Sequence, residues 1–188
     1  MEDTKYITVE ELEAGLDSLG QSPKDSGVLE LIVRRPRVDE REILAEAALD
    51  LDAGLVGDTW NSRKSSRTSD GSPHPDMQLT LMNSRVISVL AQERERWCLA
   101  GDQLYVDLDL SAANIPPGMR LSIGTAVIEV TSQPHTGCQK FTARFGQDAF
   151  HFVNAPERKE LRLRGVNTRV IQAGTIKTGD SVKKIVPK

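Results

Sequence analysis

The sequence predicts a mainly β domain, built as a closed or nearly closed β-barrel with several peripheral α-helices. Two observations carry this. From Gln103 onward the chain is a series of short segments rich in β-branched residues, QLYVDLDL, MRLSIG, AVIEVTS, NTRVIQAG and TIKTGDSVKKI, separated by Gly and Pro turns. Helices and strands do not alternate there, which argues against a doubly wound parallel sheet. The 188 residues are enough to bury a substantial core as one domain with a decorated edge. The expected division is a helical extension over residues 1–27 and a barrel domain over residues 28–188.

Taken in order, Thr8-x-x-Glu11 has the form of a capping box, and Leu12, Leu16 and Leu19 follow at helical spacing. A helix is predicted over Val9–Leu19, stopped by Gly20. VLELIVR, Val28 to Arg34, reads as a strand ended by Pro36. Asp39-x-x-Glu42, with Ile43, Ala47 and Leu51 along one side and Gly54 as C-cap, predicts a second helix. MQLTLM, Met77 to Met82, is a strand. Ser84 then caps a helix through Val86, Ile87, Leu90 and Trp97, ending before Gly101. A further helix is predicted between Gly137 and Phe152, where the alternation stops and Phe141, Phe145 and Phe152 recur at helical distance.

Composition narrows the function classes. The net charge of −3 comes from interspersed acids and bases, not the basic excess or stripe of a nucleic-acid binder. No run approaches the ~18 apolar residues of a membrane-spanning helix. The first residues, MEDTKYITVEELEAG, lack the apolar core of a secretory signal, so the cytoplasm is the expected compartment. The basic patch NSRKSSRTSDGS, residues 61–72, contains no aromatic residue and reads as a solvated loop, either a lid over a pocket or a disordered excursion. The three histidines and two cysteines show no spacing of a local zinc motif, and no Gly-rich phosphate loop occurs.

The residues that invite chemistry lie in TSQPHTGCQKF, Thr131 to Phe141. A functional cysteine must ionise, since the thiolate is both nucleophile and metal ligand. With Thr136 as N-cap, Cys138 falls in the first helical turn, where free amides favour negative charge, and Lys140 and Arg144 add positive potential. The competing reading is that Cys138, Phe141 and Phe145, spaced i, i+3 and i+7, form a buried stripe. His135 is a proton donor near neutral pH or a plain surface residue. Cys98, beside Trp97, reads as a small buried hydrophobe. Asp58 and Asp180 read first as turn carboxylates.

The order of GLVGD (Gly54–Asp58), GDQL (Gly101–Leu104), LSIGTAVIEVTSQPHTGC (Leu121–Cys138) and RLRGVNTRVIQAGTIKTGD (Arg162–Asp180) resembles the MOSC family, the C-terminal domain of molybdenum cofactor sulfurases, which also occurs alone in bacteria. Two positions depart from the common pattern: Thr59 and Trp60 follow GLVGD where basic or histidine residues are frequent, and Gly101-Asp102-Gln103 replaces Gly-Glu-Asn. The resemblance implies a barrel like the small domain of pyruvate kinases and a molybdopterin-type molybdenum cofactor, or its sulfur, as ligand. It makes Cys138 the thiolate ligand of the metal in a reductase of small N-hydroxylated compounds, or else a sulfur carrier holding a persulfide. Thr136, Gly137, Lys140, Arg164, Asn167 and Arg169 become the candidate cofactor-binding residues, with Lys159 and Arg162 nearby, because an arginine fork suits a pterin phosphate. Pyridoxal phosphate belongs to the larger sulfurases, and this chain has no room for that domain. The implied partners are a small-molecule substrate, a redox or sulfur-donor protein and a second copy of the chain.

Overall fold

The computed structural model describes residues 6–186. Strands β1 (Ser26–Arg34), β5 (Leu79–Asn83), β6 (Leu104–Asp107), β7 (Arg120–Ile123), β8 (Ala126–Val130), β9 (Val166–Gln172) and β11 (Ser181–Ile185) run side by side in the order β11-β7-β8-β9-β5-β6-β1. Pairing of β1 with β11 closes the ring. The β5–β6 pair is parallel and the others antiparallel, so this is a closed seven-stranded mixed barrel. A short strand β2 (Glu42–Leu44) extends it beside β1, and β3 (Glu46–Asp50), β4 (Gly54–Leu55) and β10 (Gly174–Lys177) form a small second sheet. Around the barrel stand α1 (Val9–Leu19), α2 (Ser84–Ala91) and α3 (Gln139–Asn154).

Alternation along each strand divides the apolar residues between two cores. Leu81, Leu104, Val106, Ile128, Val170 and Val182 fill the barrel interior. Met82 and Tyr105 point the other way and join Leu12, Ile87, Phe141 and Phe145 beneath the helices. Strand β1 serves both cores: Leu29 and Ile32 face inward while Leu31 and Val33 face the helices. Simple alternation would put Leu29 and Leu31 on one face. A register shift between them, where Leu29 pairs with Val106 and Leu31 with Tyr105, supplies the extra residue that reverses the parity.

The capping box at Thr8 and Glu11 forms as expected: the Glu11 amide donates to Thr8 Oγ1 and the Thr8 amide donates to Glu11 Oε2. The helix predicted from Asp39 does not form; strands β2 and β3 occupy its place. The positions 43, 47 and 51 fit a helical period, but of the three only Ala47 is buried, and it alternates with buried Leu49 against exposed Glu46 and Ala48. Pairing with β10 decides the conformation. Asp39 itself sits at φ 63°, outside any helical start. The helix predicted from Ser84 stops at Ala91, where Gln92 adopts φ 62°, and Trp97 lies on a separate 3₁₀ segment, Arg94–Ala100. Asn83, not Ser84, is its cap. Helix α3 forms, broken at Gly146 (φ 90°), with Cys138 rather than Thr136 at the N-cap.

Candidate functional site

The loop 131–138 leaves the end of β8 and is pinned from several sides. Thr131 Oγ1 donates to the Asp76 carbonyl (2.7 Å). Asn167 on β9, fully buried, donates its Nδ2 to the carbonyls of Gln133 (3.1 Å) and Pro134 (3.3 Å). The Gly137 amide donates to Asn154 Oδ1 (2.9 Å) at the far end of α3. Beside Pro134, His135 places Nε2 2.8 Å from Asp102 Oδ1. The loop is therefore a fixed platform, and His135 is largely enclosed, its side chain 14% exposed.

Asp102 anchors a polar knot. It has no exposed surface and also accepts from Arg164 Nη1 at 2.5 Å. Arg164 in turn donates Nη2 to the Ala100 carbonyl (2.9 Å) and lies over the ring of Phe141, 5.0 Å from its centroid. Burial opposes ionisation of Asp102, but Arg164 and His135 outweigh it and hold its pKa at about 2. Burial lowers the pKa of His135, Arg164 pushes it the same way, and Asp102 opposes both. The net effect favours the neutral ring. An ionised Asp102 requires a proton on Nε2, which leaves Nδ1 as the basic nitrogen.

A second knot joins the segments GLVGD and GDQL. Arg35, just before Pro36, donates Nε and Nη2 to the two oxygens of Asp58 (2.8 and 2.7 Å) and Nη1 to the Gly101 carbonyl (2.9 Å). The backbone amides of Arg35 and Trp60 also donate to Asp58. Gln103 accepts from the amide and hydroxyl of Thr80 and donates to the Gln78 carbonyl. The positions that depart from the common family pattern are thus fully used: Asp102 and Gln103 tie the barrel rim, and Trp60 begins the basic loop.

Two cavities meet at His135. The larger, about 710 Å³, is lined by Phe150, Val153, Pro156, Lys159, Arg162 and Arg164. The smaller, about 340 Å³, is bordered by Trp60, Arg63, Lys64 and Arg67 of the 59–72 region and by Asn167. The basic loop is folded over this space, and Arg67 donates to Gln133 Oε1 (3.2 Å). Arg63, Lys64 and Arg67 make no ion pair with any described residue. The sequence reading of this stretch as a solvated loop holds, since all three are exposed; only the contact of Arg67 with the 131–138 loop shows that they also border a cavity.

Cys138 is exposed and does not enter the Phe141–Phe145 stripe, because as N-cap it stands outside the first helical turn. Its thiol borders an open hollow that shares Gly137 and Phe150 with the larger cavity. Cys98 is half-buried, and burial raises its pKa. The other sequence candidates divide sharply. His135, Thr136, Gly137 and Arg164 line the larger cavity, and Asn167 the smaller. Lys140 does not: its ammonium is paired with Asp39 (2.9 Å), which also binds Arg144. Arg169 lies on the outer face of β9, held by Glu129 (2.7 Å) and Asp76 (3.2 Å). Neither Lys140 nor Arg169 joins the cluster. Asp180 accepts from the Lys177 amide in the turn before β11, as a turn carboxylate.

A family model for the MOSC domain matches residues 72–183. The chain belongs to the MOSC family. Among solved structures, the YuaD protein from Bacillus subtilis superposes over 87% of this chain and 97% of its own, with a TM-score of 0.62 at 16% identity. YiiM from Escherichia coli covers 86% of this chain and 71% of its own, with a TM-score of 0.54 at 20% identity. At such identities the likeness is one of fold. No curated protein matches the sequence. Among the described residues no cluster of three or more His, Cys, Asp or Glu side chains could hold a metal ion, and no helix is long and apolar enough to cross a membrane.

Proposed function

We propose that this MOSC protein binds a molybdopterin-type molybdenum cofactor and acts as an oxidoreductase on small N-hydroxylated compounds. The observation that carries this reading is the grouping of an exposed thiol, a histidine held by a buried carboxylate and a basic cavity whose lining has no carboxylate, around one pinned loop. These residues suit such a group: a soft thiolate is an apt ligand for a transition metal, and arginines suit a phosphate. Cys138 would ligate the metal, while Arg63, Lys64 and Arg67 would hold the phosphate end. Arg162 and the apolar wall of Phe150 and Val153 would shape the substrate space. When bound, the cofactor would supply two-electron chemistry at the metal.

The chain's own residues would manage the proton. Arg164 and Asp102 fix the His135 ring, and its Nδ1 would take a proton and return it on the substrate side. Loss of a hydroxyl oxygen as water consumes two protons and two electrons, so a separate redox protein must supply the electrons. Production in cells able or unable to make the cofactor, followed by assay of molybdenum and extracted pterin, tests the assignment. Metal near one equivalent that disappears in Cys138→Ser supports it.

One observation favours a second reading. Cys138 borders an open hollow and lines neither of the two cavities that meet at His135, which suits a persulfide handed to a partner protein. A cyanide-labile sulfur on Cys138 in protein free of molybdenum would decide for that sulfur-carrier role.

A further inference from the structure

The smaller cavity holds more than a phosphate requires. Its volume of about 340 Å³ lies within the range of about 300–1,000 Å³ that encloses whole organic ligands. Arg35 on its wall is neutralised by Asp58, but Arg63, Lys64 and Arg67 remain, and none of the described residues lining the space carries a carboxylate. Their three charges exceed the ~1.5–2 negative charges of a phosphate monoester at pH 7.

Two further features call for a heteroaromatic ring. Trp60 borders the same space and is only half-buried, so an indole is available beside the cations. Asn167 lines the space and is fully buried; both acceptors of its Nδ2 are backbone carbonyls, which fixes the amide orientation. That leaves its Oδ1 buried with no donor. An unsatisfied buried acceptor is costly, and a ligand N–H would satisfy it.

We propose that this cavity binds a nucleotide, with its base stacked on Trp60, a ring or amino N–H donated to Asn167 Oδ1, and a diphosphate across Arg63, Lys64 and Arg67. The nucleotide is either free or the terminal part of a larger cofactor. The inference rests on the reading of this cavity as a phosphate site, but not on molybdenum or on Cys138.

Calorimetry on the metal-free full chain tests it, using purine and pyrimidine nucleoside diphosphates, the matching nucleosides and inorganic pyrophosphate as probes. A nucleoside diphosphate should bind at least tenfold more tightly than pyrophosphate. Stacking on an aromatic side chain is worth about 1–3 kcal/mol per base, so Trp60→Leu should remove roughly tenfold or more of the nucleotide affinity and leave pyrophosphate unchanged. The exposed pair Arg63→Ala and Lys64→Ala should weaken both. Trp60 fluorescence, followed in the same titrations, should be quenched by the nucleotide alone. Equal affinity for pyrophosphate and nucleotide, or no saturation below about 1 mM, overturns the proposal. Acid release of bound ligand from purified protein separates the two sources: nucleotide alone, or nucleotide together with a pterin. Stoichiometric molybdenum without nucleotide binding would sink this inference only, while nucleotide binding by protein that never acquires molybdenum would sink only the metal assignment.

Discussion

Replacing Asp102 by Asn tests the polar knot beneath the site. The carboxylate is fully buried between Arg164 and His135. Its pKa falls from the ordinary 3.8 to about 2, close to two pH units, which at about 1.4 kcal/mol each corresponds to about 2–3 kcal/mol of stability. Because the folded-state pKa is depressed, that stability is present above pH 4 and is lost as pH falls through 2. The substitution costs more than this at neutral pH, since it leaves the guanidinium of Arg164 buried without a counter-charge; breaking such a pair typically costs about 3–5 kcal/mol. In a chain of this size each kcal/mol moves the melting temperature by about 2–4 °C. Asp102→Asn should therefore melt about 10 °C lower at pH 7 by circular dichroism. Removing the stranded charge as well, in Asp102→Asn with Arg164→Met, should recover at least half of the loss. A drop of less than about 2 °C, or a double variant no better than the single one, would show that Asp102 does not stabilise the fold by compensating the Arg164 charge.

Three other outcomes are expected. In the native protein Cys138 should react with a maleimide well before Cys98, which is half-buried with its pKa raised, and Cys138→Ser should change stability by no more than about 0.5 kcal/mol; protection of Cys138 in the cofactor-free protein would contradict its placement. The imidazole of His135 should titrate by NMR with a midpoint below 6.5, and its contribution to stability should fall as pH drops below that value, because the unfolded chain then binds the proton more readily. Gly165 stands at φ 105°, and an added Cβ would lie 2.1 Å from the Leu81 carbonyl oxygen, so Gly165→Ala should destabilise by about 3 kcal/mol in urea unfolding.

Local patterns made much of the barrel legible. The β-branched segments after Gln103 supply five barrel strands and β10, and Thr8 with Glu11 announces α1, because turn residues, alternation and capping are short-range signals. The region 39–54 misled because positions 43, 47 and 51 satisfy a helical period as well as Ala47 and Leu49 satisfy a strand period. The choice was made by β10, more than 120 residues away. The candidate site was legible only in part. The segment that ends in Cys138 pointed to the right loop, yet the partner of His135 comes from Asp102 and that of Asp102 from Arg164, far apart in the chain. The basic loop was visible as a loop, but its cations acquire meaning only from where Arg67 ties them. Arg169 shows the reverse: it lies in the right segment and shares a face of β9 with Asn167, but two residues farther along the strand it is exposed and engaged by Glu129 and Asp76.

The most direct test of the central claim is the molybdenum content of protein made in a cofactor-producing host, compared with its Cys138→Ser counterpart. Metal and pterin should approach one equivalent per chain in the first, with a metal content near zero in a well-folded second. A chain that carries no molybdenum in that host, or one that retains all of it without the thiol, would contradict the assignment of Cys138 as the ligand.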